Sequence, residues 1–331
     1  MIEAAGIVRT YKTSSSLGGE RTVYALRGVD FTLADAGAVS FIGESGCGKT
    51  TLGKVLTGLE VPDEGKLVID GTDVLALPLR KRGEHFRRVQ MVHQDPYSAL
   101  NPTHTVDQIL GAPLSLTRGR NRSASTARAA ELLDLVGLDP YVVLPKYPHQ
   151  LSGGQRQRVV VARALTVDPE VLVADEAVSM IDVSLRLGIL RLLRDLRRDL
   201  GVSLLFITHD VATARYVGDG GEMRVLYRGV VIESGSTDEV IQNPVHPYTQ
   251  CLLSAIPVMR GLEREGTQRQ VPLAALDERE EPPGCLFAPR CPFAQPECNA
   301  ERPPLVTQES GHRHACLFPQ ARDVVPAALA T

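Results

Sequence analysis

Residues 43–50 read GESGCGKT and follow the apolar run AVSFI at 38–42. The run is short and unbroken, as a strand buried on both faces is, and the glycines after it open a turn into a helix. That is the context in which the pattern G-x-x-x-x-G-K-[ST] binds phosphate. Glycines allow backbone N–H groups to close around phosphate oxygens, and the helix that follows points its positive end at them. The expected cradle is Gly43, Glu44, Ser45, Gly46, Cys47, Gly48, Lys49, Thr50 and Thr51. Lys49 would reach the β- and γ-phosphates, and Thr50 would hold Mg²⁺.

On either side of this loop the chain reads as strands alternating with helices. Short strand signals come first: AAGIVRTYK, VDFTLADAGAVSFIGES, GKLVIDG and RVQMVHQ. From about 105 to 150 the pattern becomes helical, with TARAAELLDLVGL spacing its apolar residues by three and four. GQRQRVVVARALTV and VSLRLGILRLLRDLRRDL are further helices, and EVLVADE and VSLLFITHD are buried strands. Such alternation predicts an α/β fold with a mostly parallel sheet covered on both faces.

Two of those strands end in chemistry. VLVADE closes on Asp175 and Glu176, and strand alternation would point them to different sides, one towards Mg²⁺ and the other towards water. FITHD delivers His209 to the carboxyl edge of the sheet, where ligands bind, as a candidate contact to a γ-phosphate. LSGGQRQRV, from Leu151 to Val159, is a second anion-binding helix start, with Ser152 followed by two glycines. One nucleotide does not need two cradles from one chain. If two chains pair head to tail, each nucleotide is closed by the loop of one and the Ser152, Gly153, Gly154 and Gln155 turn of the other.

Composition sets limits. A length of 331 residues allows two domains, or one large and one small, and 43% apolar with 23% charged residues is ordinary for a folded soluble protein. The formal net charge is −3, so nothing recruits nucleic acid or an anionic membrane. The start carries an acid where a secretion signal needs basic residues, and no apolar run approaches the ~18 residues of a spanning helix. A cytosolic chain that borrows any membrane role from a partner is the expectation.

Taken together, the motifs closely resemble the ATP-binding subunits of ABC transporters, from about Val8 to Pro257. GESGCGKT is similar to Walker A, Gln94 in MVHQDP to the Q-loop, LSGGQ to the signature and VLVADE to Walker B. Asp182 in SMID is similar to the D-loop aspartate and His209 to the switch histidine. Tyr11 occupies the position of the aromatic that stacks on adenine, with Tyr24 as a rival. The resemblance implies a P-loop NTPase of the ABC type, with a mostly parallel core, an antiparallel N-terminal β subdomain and a helical subdomain at about 96–160. The ATP-binding domain would span 1–258. Asp175, Thr50 and Gln94 would serve Mg²⁺, and Glu176, His209, Lys49 and Gln94 would carry ATP hydrolysis.

QDPYSALNP, HPYTQCLLSAIP and a cysteine tail are similar to the importer branch for dipeptides, oligopeptides and nickel, shared by some oligosaccharide importers. Ala177 stands where that branch usually has proline, SMID replaces SALD, His93 replaces an aromatic, and GDGGEM runs about two residues over the usual length. No chemical group of the ATP site is lost. The implied partners are a second ATP-binding subunit, identical or different, two membrane permease subunits and, indirectly, an extracytoplasmic substrate-binding protein. The implied place is the cytoplasmic face of the membrane, with a peptide cargo and with oligosaccharide or nickel as alternatives. A nucleic-acid- or ribosome-associated ABC ATPase would carry long insertions, a second domain or a basic stripe. A metal or redox sensor is the third reading.

That third reading comes from the tail. Four of the six cysteines, Cys285, Cys291, Cys298 and Cys316, lie at 284–322, beyond a polar linker at 259–283. The segment has few large apolar residues, so a metal centre would gather and order it. Its gaps of five, six and seventeen residues are wider than the C-x₂₋₄-C pairs usual for zinc. By resemblance to importer tails, a [4Fe–4S] cluster on the four cysteines is expected, with Zn²⁺ as the alternative. His312 and His314 would be exposed polar residues or alternative zinc ligands, and nothing in the tail is expected to reach the phosphates.

Overall fold

The computed structural model describes residues 1–14, 20–118, 121–255 and 281–320; most of the expected linker lies outside them. The strands are β1 (Ile2–Ser14), β2 (Glu20–Leu33), β3 (Ala38–Ile42), β4 (Glu64–Ile69), β5 (Thr72–Asp73), β6 (Val89–Val92), β7 (Val171–Asp175), β8 (Ser203–Thr208), β9 (Glu222–Tyr227), β10 (Val230–Ser236), β11 (Val306–Thr307) and β12 (Arg313–His314). Among the described residues they form two sheets, a four-stranded one in the order β2-β1-β4-β5 and an eight-stranded one in the order β11-β12-β10-β9-β3-β8-β7-β6.

In the larger sheet β9, β3, β8, β7 and β6 run parallel, as the unbroken apolar runs predict. Every residue of β3, β7 and β8 is buried. Their side chains sort by alternation into two cores. Leu204 and Phe206 join Leu172, Ala174 and the helix Val183–Leu200 on one face. Leu205 and Ile207 join Val173 and Leu52, Val55 and Leu56 of the helix Lys49–Leu56 on the other. The smaller sheet, antiparallel throughout, closes that second core with Ile2, Ile7, Leu26 and Phe31.

VDFTLADAGAVSFIGES holds two strands, the end of β2 and all of β3, and they lie in different sheets. Gly37 N–H donates to the Ala34 carbonyl at 3.0 Å, and Ala36 turns the chain at a φ of 55°. Between β6 and β7 lies a helical stretch that includes Val106–Arg118, Arg122–Leu135 and Gly153–Leu165. Its Leu110, Leu132, Leu133 and Val159 continue the first core.

The C-terminal segment adds strands to the body. β12 pairs antiparallel with β10, Glu233 opposite His314, and β11 pairs with β12. Leu286 and Phe287 enter the first core. His312 and His314, expected to be exposed, are 1% and 4% exposed, because that pairing carries them inside, and His312 Nε2 lies 2.8 Å from the buried Glu233 carboxylate.

Candidate functional site

The loop at 43–50 bridges the end of β3 and the helix Lys49–Leu56. Gly48 caps that helix at a φ of 109°, and a Cβ there would stand 2.1 Å from the Ala25 carbonyl oxygen. Only glycine fits both constraints. Lys49 is 5% exposed, and its ammonium donates to the carbonyls of Gly43 at 2.7 Å and Glu44 at 2.8 Å. Cys47 turns its thiol into the second core, where burial raises its pKa, so only its backbone is available to a ligand.

The parallel register brings the other expected residues to the same edge, with Ile42 opposite Thr208 and Asp175 opposite Ile207. Thr50 Oγ1 donates to Asp175 Oδ1 at 3.2 Å. Burial pushes the Asp175 carboxyl above the ordinary carboxylate range, against the opposing pull of the Thr50 hydrogen bond. Glu176 does not take its aim from strand alternation. β7 ends at Asp175, and Glu176 turns to a φ of 44°, its N–H donating to the Ile207 carbonyl at 2.8 Å. This left-handed turn swings its carboxylate between two partners. Gln94 Nε2 donates to Oε2 at 3.0 Å, and His209 Nδ1 lies 3.1 Å from Oε1.

A cavity of about 350 Å³ opens above the loop, lined by Ser45, Gly46, Gly48, Lys49, Thr50, Thr51, Gln94 and Glu176. Tyr11 and its rival Tyr24 both line it too, so the geometry favours neither for a flat ring. Each has an arginine over its ring, Arg9 at 5.0 Å for Tyr11 and Arg27 at 4.5 Å for Tyr24.

Ser152, Gly153, Gly154, Gln155 and Asp182 do not line this cavity. Ser152 caps the helix Gly153–Leu165 in a reciprocal box, Gln155 N–H donating to its hydroxyl at 3.3 Å and its own N–H donating to Gln155 Oε1 at 3.0 Å. A Cβ on Gly153 would meet nothing within 4 Å, so the turn is open to an approaching group. Asp182 begins the helix Val183–Leu200 with no side-chain cap bond.

Residues 26–179 match the family model described as ABC transporter, and residues 232–298 match that of the oligopeptide/dipeptide transporter C-terminal region. The probable peptide ABC transporter ATP-binding protein y4tS of Sinorhizobium fredii is 40% identical over 93% of this chain and 87% of its own length. The chain belongs to the ATP-binding subunits of ABC transporters. The dipeptide transport ATP-binding protein DppF of Haemophilus influenzae is 37% identical over 96% of this ABC subunit and 96% of itself. Among solved structures, the ATP-binding cassette MJ0796, a dimer in a post-hydrolysis state bound to ADP and Pi, superposes with a TM-score of 0.63. It is 29% identical and covers 72% of this chain and 99% of its own. The activity of this ABC subunit is accordingly that of an ATPase, with ATP and Mg²⁺ as its ligands. Among the described residues, no helix is long and apolar enough to cross a membrane.

Two residues at the ABC subunit's phosphate loop escaped the sequence. Tyr248, whose helix is capped by His246, accepts a 2.8 Å hydrogen bond from Glu44 N–H. Burial drives the His246 pKa down to about 3, so this cap stays neutral. Arg290, between the first two tail cysteines, makes a forked ion pair with the Glu44 carboxylate at 2.7 and 2.9 Å. The tail therefore does reach the loop. An HPY triplet beside a P-loop protein's last helix was the available signal for Tyr248; Arg290 had none.

The four tail cysteines are in no disulfide. Burial pushes the Cys316 thiol up to about 11, and Cys285, Cys291 and Cys298 add to the shift, so the four sulfurs share one neighbourhood. Among the described residues no three His, Cys, Asp or Glu side chains are placed to share a single metal ion.

Proposed function

We propose that this subunit powers the uptake of dipeptides or oligopeptides through separate membrane permeases, from the cytoplasmic face of the membrane. The observation that carries the ATPase half of this reading is the Glu176 carboxylate, held between Gln94 and His209 at the rim of the cavity above Lys49 and Thr50. The C-terminal match and the names of the relatives support a peptide cargo.

Phosphoryl transfer needs positioning and charge stabilisation more than covalent chemistry. Lys49, freed from its two loop carbonyls, would turn to the β- and γ-phosphates, which offer it stronger acceptors. Thr50, Asp175 and Gln94 would hold Mg²⁺, which neutralises the charge developing between those phosphates. Glu176 would orient the attacking water and draw off its proton, with His209 keeping the carboxylate in place. Ser152 to Gln155 would close the nucleotide of a second ATP-binding subunit, and the aromatic pair Tyr11 and Tyr24 would receive the base. ATP would clamp two subunits together, and hydrolysis would release them.

For the tail, we keep a [4Fe–4S] cluster on Cys285, Cys291, Cys298 and Cys316 as the proposal, with Zn²⁺ as the alternative. Four thiolates gathered in one neighbourhood would repel unless a cation neutralised them. Its role would be to order the segment.

The test is ATP turnover by the complete transporter in lipid vesicles, with its substrate-binding protein. Loading that protein with peptide should raise turnover several-fold. Stimulation by an oligosaccharide or nickel, with none by peptide, would overturn the cargo.

A further inference from the structure

We propose that Arg290, carried by the cysteine tail, is a positioning residue for the phosphate loop and acts through Glu44. The inference rests on the nucleotide reading of that loop. Glu44 is the second residue of the loop, yet its side chain does not line the nucleotide cavity. It points back to the C-terminal part of the chain, where both its polar ends are held. Tyr248 accepts its N–H at 2.8 Å, and Arg290 grips both carboxylate oxygens at 2.7 and 2.9 Å.

The grip is built to be rigid. The Arg290 side chain is 7% exposed against 33% for Glu44, so the pair is sheltered chiefly on the arginine side. Its Nη1 also donates to the Tyr227 hydroxyl at 3.3 Å. The backbone behind it is a tight turn, with Ala288 N–H on the Cys285 carbonyl at 3.0 Å, Arg290 N–H on Phe287 at 2.9 Å and Cys291 N–H on Ala288 at 3.2 Å. Phe287 seats that turn by packing 5.4 Å from the rings of both Tyr227 and Tyr248. A planar guanidinium on such a turn fixes a carboxylate in two dimensions, as a lysine cannot.

A phosphate cradle acts through the aim of its amides, so restraint at Glu44 is restraint on the amides next to it. If Arg290 served only to anchor the tail, its loss would lower thermal stability and leave the loop's affinity alone. If it positions the loop, nucleotide affinity falls, while turnover at saturating ATP changes little because Glu176, Gln94 and His209 are untouched.

The experiment measures the dissociation constant of a fluorescent ATP analogue with Mg²⁺ on the full chain. It compares the unmodified protein, Arg290→Gln, Arg290→Lys, Glu44→Gln and the double variant Glu44→Gln/Arg290→Gln. Arg290→Gln should weaken binding about tenfold, and the double variant should be no weaker than the weaker single, as expected of two groups acting as one. Arg290→Lys, which keeps the charge and stem and so guards against a misfolded Gln variant, should fall between. An unchanged constant in both Arg290 variants, or additive losses in the double, would overturn the proposal. Failure of the unmodified chain to bind would overturn the nucleotide reading and this inference with it.

Discussion

Asp175 is 3% exposed at the end of β7, and its burial has a consequence for stability that runs against its function. Burial raises its pKa, so in the interval between the ordinary aspartate value and the raised one the folded state holds a proton that the unfolded chain releases. Stability therefore falls as pH climbs through that interval, and the full cost is present above it. Asp175→Asn removes the cost and keeps an oxygen for Thr50 Oγ1. The ligand-free variant should melt roughly a few degrees above the unmodified protein at neutral pH, with the gap closing as pH falls towards the ordinary aspartate range. Calorimetry across pH checks this, and a lower melting temperature at pH 7 would refute it. Mg²⁺-dependent turnover should be lost in the same variant. At this scale the gathering of Lys49, Thr50, Asp175, Glu176 and His209 at one sheet edge was legible from spacing and strand ends, and the place of Gln94 beside them from the family resemblance alone. The left-handed turn at Glu176 was not, because no side chain announces a φ of 44°.

The element that depends most on single atoms is the loop between β3 and the helix Lys49–Leu56. Gly46 and Gly48 both have positive φ, 81° and 109°, but differ in their surroundings. A Cβ on Gly46 meets nothing within 4 Å, whereas one on Gly48 would collide with the Ala25 backbone. Gly46→Ala should therefore cost only backbone strain, roughly 1–3 kcal/mol. Gly48→Ala should cost more and should abolish ATP binding by displacing the strand against which the loop rests. Denaturant unfolding and ATP titration of the two variants give the ranking; equal effects would contradict it. The long elements were readable from their periodicity, and the helix Val183–Leu200 carries its buried Ile189, Leu193 and Leu196 at the spacing the sequence displays. β11 and β12 were not, since two-residue strands have no period and their partner β10 lies far back in the chain. The same lack of local signal hid the burial of His312 and His314.

Over the whole molecule, the sheet's carboxyl edge gathers one half of an ATP site, and the serine–glycine turn stands away from it. Ser152 is exposed, and Met180 and Val183, on either side of Asp182, are 59% and 77% exposed. This is the surface that the proposed second ATP-binding subunit would cover. Ser152→Arg should leave ATP binding by the isolated chain within about twofold, because its cavity is untouched, while turnover in the assembled transporter falls at least about tenfold. Loss of binding in the isolated chain would instead give the turn a folding role. Pairing of chains is what the two cradles led one to expect from the sequence; the tail's hold on the phosphate loop had no such signal, because it joins residues 246 positions apart. The proposed mechanism assigns activation of water to Glu176. The most direct measurement is ATP turnover by the assembled transporter carrying Glu176→Gln, together with the nucleotide it retains. Turnover should fall by about 10²-fold or more with ATP still bound, whereas near-normal turnover would show that Glu176 does not activate the water.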